Sequence, residues 1–247
     1  MDTTSYLPLS AAIGLQRAMD VTAGNMANAA TSGHRAGRVV FESLVAGHGN
    51  APEAGLSYGH DRLGYADLTT GTIVSTGNPL DMALHGDGWF GFQTQDGQIA
   101  LGRGGSFVLD GEGNLVTSTG AAVLDAGGGA IALPPDAGIP QIASDGTISN
   151  AEGDMLGQIG MFSAPDIATW QPHGDSMFIP RDGAQPPLEP AEGTRISQGT
   201  LEQSNVNPIT EMMRMIEVQR AFERNMQVVG NHDQLRRDTL SRLGQTA

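Results

Sequence analysis

The chain contains no cysteine and no lysine; all thirteen of its basic residues are arginine. Without cysteine there is no disulfide framework and no thiolate metal site. That suits a reducing compartment, or a protein that crosses a membrane without covalent staples. No stretch approaches 18 consecutive apolar residues, the length at which a run reads as a membrane-spanning helix. The start lacks the basic and apolar regions of a Sec-type signal peptide, so any export is expected to use another route. None of the six histidines lies three to five residues from another. There is also no H-E-x-x-H, no G-x-S-x-G elbow and no P-loop. These absences lead us to expect no catalytic residue, no metal ligand, no cofactor and no small-molecule substrate, hence no enzyme.

Glycine is abundant, with 35 residues, and the charge is uneven. The net charge is −14 over 247 residues. Residues 1–47 balance three Arg against Asp2, Asp20 and Glu42, and residues 208–247 carry six Arg against five acids. The middle, 48–207, has four Arg against nineteen acids, a net of −15. An acidic body argues against nucleic acid and against anionic lipid as partners.

The ends read as helices. Asn207 suits a helix cap and Pro208 the first helical turn. Met212, Met215, Gln219, Phe222, Met226 and Val229 then recur at spacings of three and four, the seam of a coiled coil. Gln219 reads as its polar, register-setting position. Glu211 with Arg214, and Glu217 with Arg220, are spaced to pair on the flanks. Over residues 9–28, Ala12, Leu15, Met19, Thr22 and Met26 repeat the same spacing, although Gly14 and Gly24 each weaken that helix by about 1 kcal/mol relative to Ala. Thr31-Ser32-Gly33 is expected to end it. Residues Arg35–Val45 fit either a short helix or an extended arm. Residues 46–70, rich in Gly and carrying Tyr58 and Tyr65, have the composition of a linker or long loop.

From Gly71 the hydrophobic period changes to two. Leu80, Met82 and Leu84 alternate with small or polar residues, as do Phe90 and Phe92, Ile99 and Leu101, and Phe107 and Leu109. Asp87-Gly88, Asp96-Gly97, Asp110-Gly111, Asp145-Gly146 and Asp182-Gly183 punctuate these runs as hairpin turns would. The expected fold is therefore a pair of coiled-coil-like N- and C-terminal α-helices around an inserted all-β body of short antiparallel strands. In domains, this is 1–45 with 200–247 as a terminal helical unit, 46–70 as linker and 71–199 as the β body. Gly86–Gly91 matches G-x-G-x-x-G, but its following residues alternate as a strand, whereas a dinucleotide site needs a helix there. Asp110–Asn114 lacks the ligand spacing of a calcium loop and reads as a turn. Glu152 and Asp154 read as loop carboxylates.

Three long blocks, in order, resemble the flagellar axial proteins of bacteria, the rod and hook family. The first runs over Leu9–Arg38 and includes Gly24-Asn25-Met26-Ala27-Asn28 and Thr31-Ser32-Gly33-His34-Arg35. Gly24 stands where that family usually has Asn, and His34 where it has Phe. The second is Thr76–Phe90, continuing through Arg103–Phe107 and Gly113–Thr117; the third runs from Gln198 to Glu223. Length and the segment Asp145–Ser149 look most like the proximal-rod type, with the distal-rod type as runner-up. The resemblance implies a structural subunit of the basal-body rod that polymerises through its terminal helices. It implies partners among its own copies and neighbouring axial proteins, export by the flagellar type III apparatus without a cleaved signal peptide, and a place in the periplasm-spanning rod. Leu15, Met19, Asn25, Met26 and Asn28 of the first helix, with Met212, Met215, Gln219, Phe222, Met226 and Val229 of the last, are the expected subunit-interface residues. The alternative of another class is a secreted β-rich binding or adhesion module whose helices merely close its fold.

Overall fold

A computed structural model describes residues 6–45, 57–134 and 138–245. Two long helices, α1 (Tyr6–Ala27) and α2 (Pro208–Gln245), enclose all the strands in sequence. In chain order these are β1 (Gly37–Val45), β2 (Ser57–Ala66), β3 (Ile73–Ser75), β4 (Met82–His85), β5 (Trp89–Gln93) and β6 (Ile99–Gly102). There follow β7 (Phe107–Leu109), β8 (Leu115–Thr117), β9 (Ala122–Val123), β10 (Gln141–Ile142), β11 (Thr147–Ser149) and β12 (Met155–Gln158). The last five are β13 (Met161–Phe162), β14 (Gln171–His173), β15 (Met177–Ile179), β16 (Arg195–Gln198) and β17 (Thr200–Glu202). A β-rich body and two helices are thus the architecture. The chain divides into two compact units, one holding α1, β1, β2 and α2, the other holding Asn28–Ala36 and Ala66–Val206.

In the helical unit α1 and α2 are in contact, and α1 also meets β1. The segment that could have been helix or arm is strand β1. Asn25 fixes its start by holding the Gly37 backbone at both ends: its Oδ1 accepts from the Gly37 N–H at 2.8 Å and its Nδ2 donates to the Gly37 carbonyl at 3.0 Å. The stretch expected as linker contains β2, which pairs with β1. Residues 46–56 of that stretch lie outside the described residues.

The β unit is built from antiparallel pairs. Its largest sheet runs β14-β15-β6-β5-β9-β8-β7, with β13 added beside β5. Both faces of β5 are covered. Phe90 and Phe92 join Met82, Leu115 and Ile148 in one apolar cluster, while Trp89 joins Leu101, Phe162, Ile167 and Phe178 in another. Phe90 and Phe107 meet edge to face at 5.3 Å and 83°, the arrangement that ring quadrupoles favour.

Three of the Asp-Gly pairs sit in hairpins. Asp96-Gly97 joins β5 to β6, Asp110-Gly111 lies between β7 and β8, and Asp145-Gly146 between β10 and β11. Two do not. Asp87-Gly88 connects β4, which pairs with β16, to β5 in a different sheet. Glycine is needed at 88 because a Cβ there would press on Thr194 and Ala191; the same close approach lets its N–H donate to Thr194 Oγ1 at 3.0 Å. Asp182-Gly183 turns back toward Pro180 after β15 and starts no partner strand. A close approach and a loop reversal leave the same dipeptide in the sequence as a hairpin does. The glycine-rich stretch Gly86–Gly91 runs into β5, with no helix opening behind it.

Candidate subunit interface

Helix α2 begins as its sequence dictates. Asn207 Oδ1 accepts from the N–H groups of Ile209 at 3.0 Å and Thr210 at 3.3 Å, and Pro208 opens the first turn. Capping of this kind satisfies donors that the helix cannot pair internally. Glu211 lies in that first turn, where the helix dipole favours a negative charge. It is 2 % exposed. Arg38 Nη1 donates to its Oε1 at 2.9 Å and Asn25 Nδ2 donates to its Oε2 at 3.3 Å. Arg214, one turn on, is a looser partner at 3.8 Å. A buried carboxylate is tolerated only when paired and hydrogen-bonded in this way.

Glu211 marks the covered side of α2. Met215, Val218, Phe222, Asn225 and Val229 continue that side as half-buried positions at spacings of four and three. Of the six seam residues expected from sequence, Met215, Phe222 and Val229 lie on it. Met212 and Met226 are exposed, at 54 % and 46 %, and Gln219 is exposed with its amide donating to Glu223 at 3.4 Å. Both stripes share Met215, Phe222 and Val229, and Glu211 and Asn225 resemble surface residues in sequence. Only the tertiary partners of Glu211 reveal which stripe is covered. On α1, Ala12, Thr22 and Asn25 are buried, and Leu15, Met19 and Met26 half-buried. Asn28 accepts from the Thr31 hydroxyl at 3.2 Å in the turn that follows α1.

The opposite side of α2 is apolar and open. Ile209 is 70 % exposed, Met212 54 %, Met213 56 % and Ile216 45 %. These four fall at the i, i+3, i+4, i+7 spacing of one helix face. Leu9 and Ile13 of α1 are likewise exposed.

The β unit holds a charge cluster that the sequence did not single out. Glu202 is 1 % exposed, and Arg35 and Arg103 are 2 % and 3 % exposed. Arg35 Nη1 lies 2.6 Å from Glu202 Oε1, and Arg103 Nη1 lies 3.4 Å from Oε2. Oε1 also accepts from the Gly71 N–H at 2.9 Å. Arg35 further donates to the Thr69 carbonyl, and Arg103 to those of Leu84 and Gly86. Arg35 Nε and Nη2, and Arg103 Nε, find no hydrogen-bond partner among the described residues. Both guanidinium groups instead sit over the Trp89 ring, at 5.8 and 5.1 Å from its centroid. Burial pushes the Arg103 pKa below its ordinary value, against the pull of Glu202. Next to Arg35, burial and that neighbouring cation hold the His34 imidazole below its usual range. Gly33 admits this approach because a Cβ there would overlap the Arg103 backbone. The one sequence signal was two arginines inside apolar, glycine-rich blocks; the 99-position separation of Arg103 and Glu202 hides the rest. Among the described residues no cluster of His, Asp and Glu is arranged to hold a metal ion.

Two family descriptions match the chain. "Flagellar basal body rod FlgEFG protein C-terminal" covers residues 197–243, and "Flagellar hook protein FlgE/F/G D1 domain" covers 83–150. The chain is 37 % identical to the flagellar basal-body rod protein FlgF of Mesorhizobium japonicum over 90 % of each protein. It is 34 % identical to FlgF of Caulobacter vibrioides over 99 % of each. To the rod protein FlgG of Bacillus subtilis it is 32 % identical, over 93 % of this chain and 95 % of that one.

Proposed function

The chain belongs to the family of flagellar basal-body rod proteins, and from that premise we propose that it is a structural subunit of the flagellar rod, serving motility rather than catalysis. FlgF-named relatives are among the most similar, at 37 % and 34 % identity, and this supports the proximal-rod type over the distal-rod type. Its partners are other rod and axial subunits, and its place is the flagellar basal body. Export through the flagellar type III apparatus, and a position in the part of the rod that crosses the periplasm, complete this reading.

The observation that carries the assembly mechanism is the open face of Ile209, Met212, Met213 and Ile216 on a long helix whose other face is already covered. An apolar helix face of this kind is usually an interface in waiting. The terminal helices act as a coiled-coil-like pair that is completed by neighbouring subunits. Met212 and Met226 then contact neighbours directly, while Leu15, Met19, Met26, Met215, Phe222 and Val229 hold the pair together. Asn25 and Asn28 shape the end of α1, and Gln219 stays on the open side.

The experiment is incorporation. In cells lacking the endogenous chain, a Met212→Asp variant is expected to be exported and folded but absent from purified basal bodies. Normal amounts of that variant in basal bodies would overturn the assignment of this face.

A further inference from the structure

Two of the four residues on the open α2 face are methionine. Met212 and Met213 are 54 % and 56 % exposed, whereas Met82 and Met177 in the β unit are 0 % and 4 % exposed. With no cysteine in the chain, thioethers are its only oxidisable sulfur. Leucine would give the same face a comparable volume and equal helix propensity. Methionine differs in that its sulfur reacts with peroxides, and it does so where it is exposed.

We propose that Met212 and Met213 form an oxidative modification site that gates assembly, a reading that rests on the function proposed above. The co-reactant is hydrogen peroxide. A sulfur lone pair attacks one peroxide oxygen, an S–O bond forms as the O–O bond breaks, and the departing hydroxide takes the proton from the oxygen now bound to sulfur to leave as water. Sulfur loses two electrons and becomes the sulfoxide, and the peroxide is reduced. The sulfoxide oxygen is a strong hydrogen-bond acceptor, and burying it in an apolar contact without a donor is costly. Oxidation before assembly therefore closes the face. Assembly in turn covers both sulfurs and protects them.

The chain supplies its own controls. Met155, 65 % exposed in the β unit, is oxidised alongside but lies far along the chain from α2, and Met82 and Met177 are shielded. Trypsin cleaves after Arg195 and Arg214, so Met212 and Met213 are read together on the peptide Ile196–Arg214. The test places wild type, Met212→Leu with Met213→Leu, Met212→Gln with Met213→Gln, and Met155→Gln in cells lacking the endogenous chain. Each is grown with and without a hydrogen peroxide pulse during rod assembly, and the chain in purified basal bodies is quantified. Untreated wild type and Met155→Gln are expected to incorporate. Peroxide-treated wild type carrying sulfoxide on Ile196–Arg214 is expected to be lost from basal bodies, as is the untreated glutamine pair. The leucine pair, with Met226→Leu added because that α2 thioether is also exposed, is expected to reach the same level with and without peroxide. Incorporation of the sulfoxide-bearing wild type or of the glutamine pair at the untreated level would overturn the inference while leaving the rod-subunit reading standing. Absence of untreated wild type from basal bodies would overturn both.

Discussion

Glu202 gathers two arginines that would otherwise be buried cations. Replacing it with Gln leaves Arg35 and Arg103 facing each other over Trp89 with only carbonyl acceptors and the ring face. Breaking a buried pair from one side costs about 3–5 kcal/mol, so Glu202→Gln is expected to lower the denaturation midpoint of the β unit sharply in a urea titration. A loss under about 1 kcal/mol would mean the ring and carbonyls already suffice. His34 adds a pH dependence of defined sign. Burial and the neighbouring Arg35 lower its pKa from 6.5 in the folded protein, so below that pH the unfolded chain binds the proton more readily. Its contribution is fully present above about pH 6.5 and is lost as pH falls through the folded value. His34→Phe, the residue the family resemblance leads one to expect there, should flatten that decline in thermal midpoints taken across pH 7 to 5. An unchanged slope would mean other groups carry it.

At the scale of elements, the two helices were legible in sequence because caps and periodicity are local. Asn207, Pro208 and, of the Met-rich stripe, Met215, Phe222 and Val229 stand as their chemistry suggests. What was hidden is the rotation of α2. Glu211 is covered because Arg38 and Asn25 reach it from 173 and 186 residues away, and no local pattern announces that. The same limit left the segment of β1 undecided between a short helix and an extended arm and let Asp87-Gly88 pass for a hairpin. The rotation separates two substitutions that the stripe alone would treat alike. Phe222→Asp puts a charge on the covered side and should destabilise the helical unit by several kcal/mol, whereas Met212→Asp on the open side should change stability by less than about 0.5 kcal/mol. Circular dichroism melts of the two variants distinguish them, and equal losses would contradict the assigned rotation. Gly24 offers the opposite test. A Cβ at this exposed position in α1 meets nothing within 4 Å, so Gly24→Ala should add about 1 kcal/mol to helix stability. A loss of stability would mean that α1 is not the regular helix described.

On the scale of the whole molecule, the sequence separates a middle, residues 48–207, of net charge −15 from ends that are nearly neutral. Neutral ends allow helices from different subunits to approach without repulsion, while the acidic body keeps free chains apart and soluble. On the function proposed above, helices that are only half covered in the single chain are completed by assembly. The central claim, that this chain builds the rod, is tested most directly by electron microscopy of basal bodies from cells in which it alone has been deleted. Rods that stop short at their proximal segment, without hooks and without swimming, are the expected result; full-length rods in motile cells would contradict it.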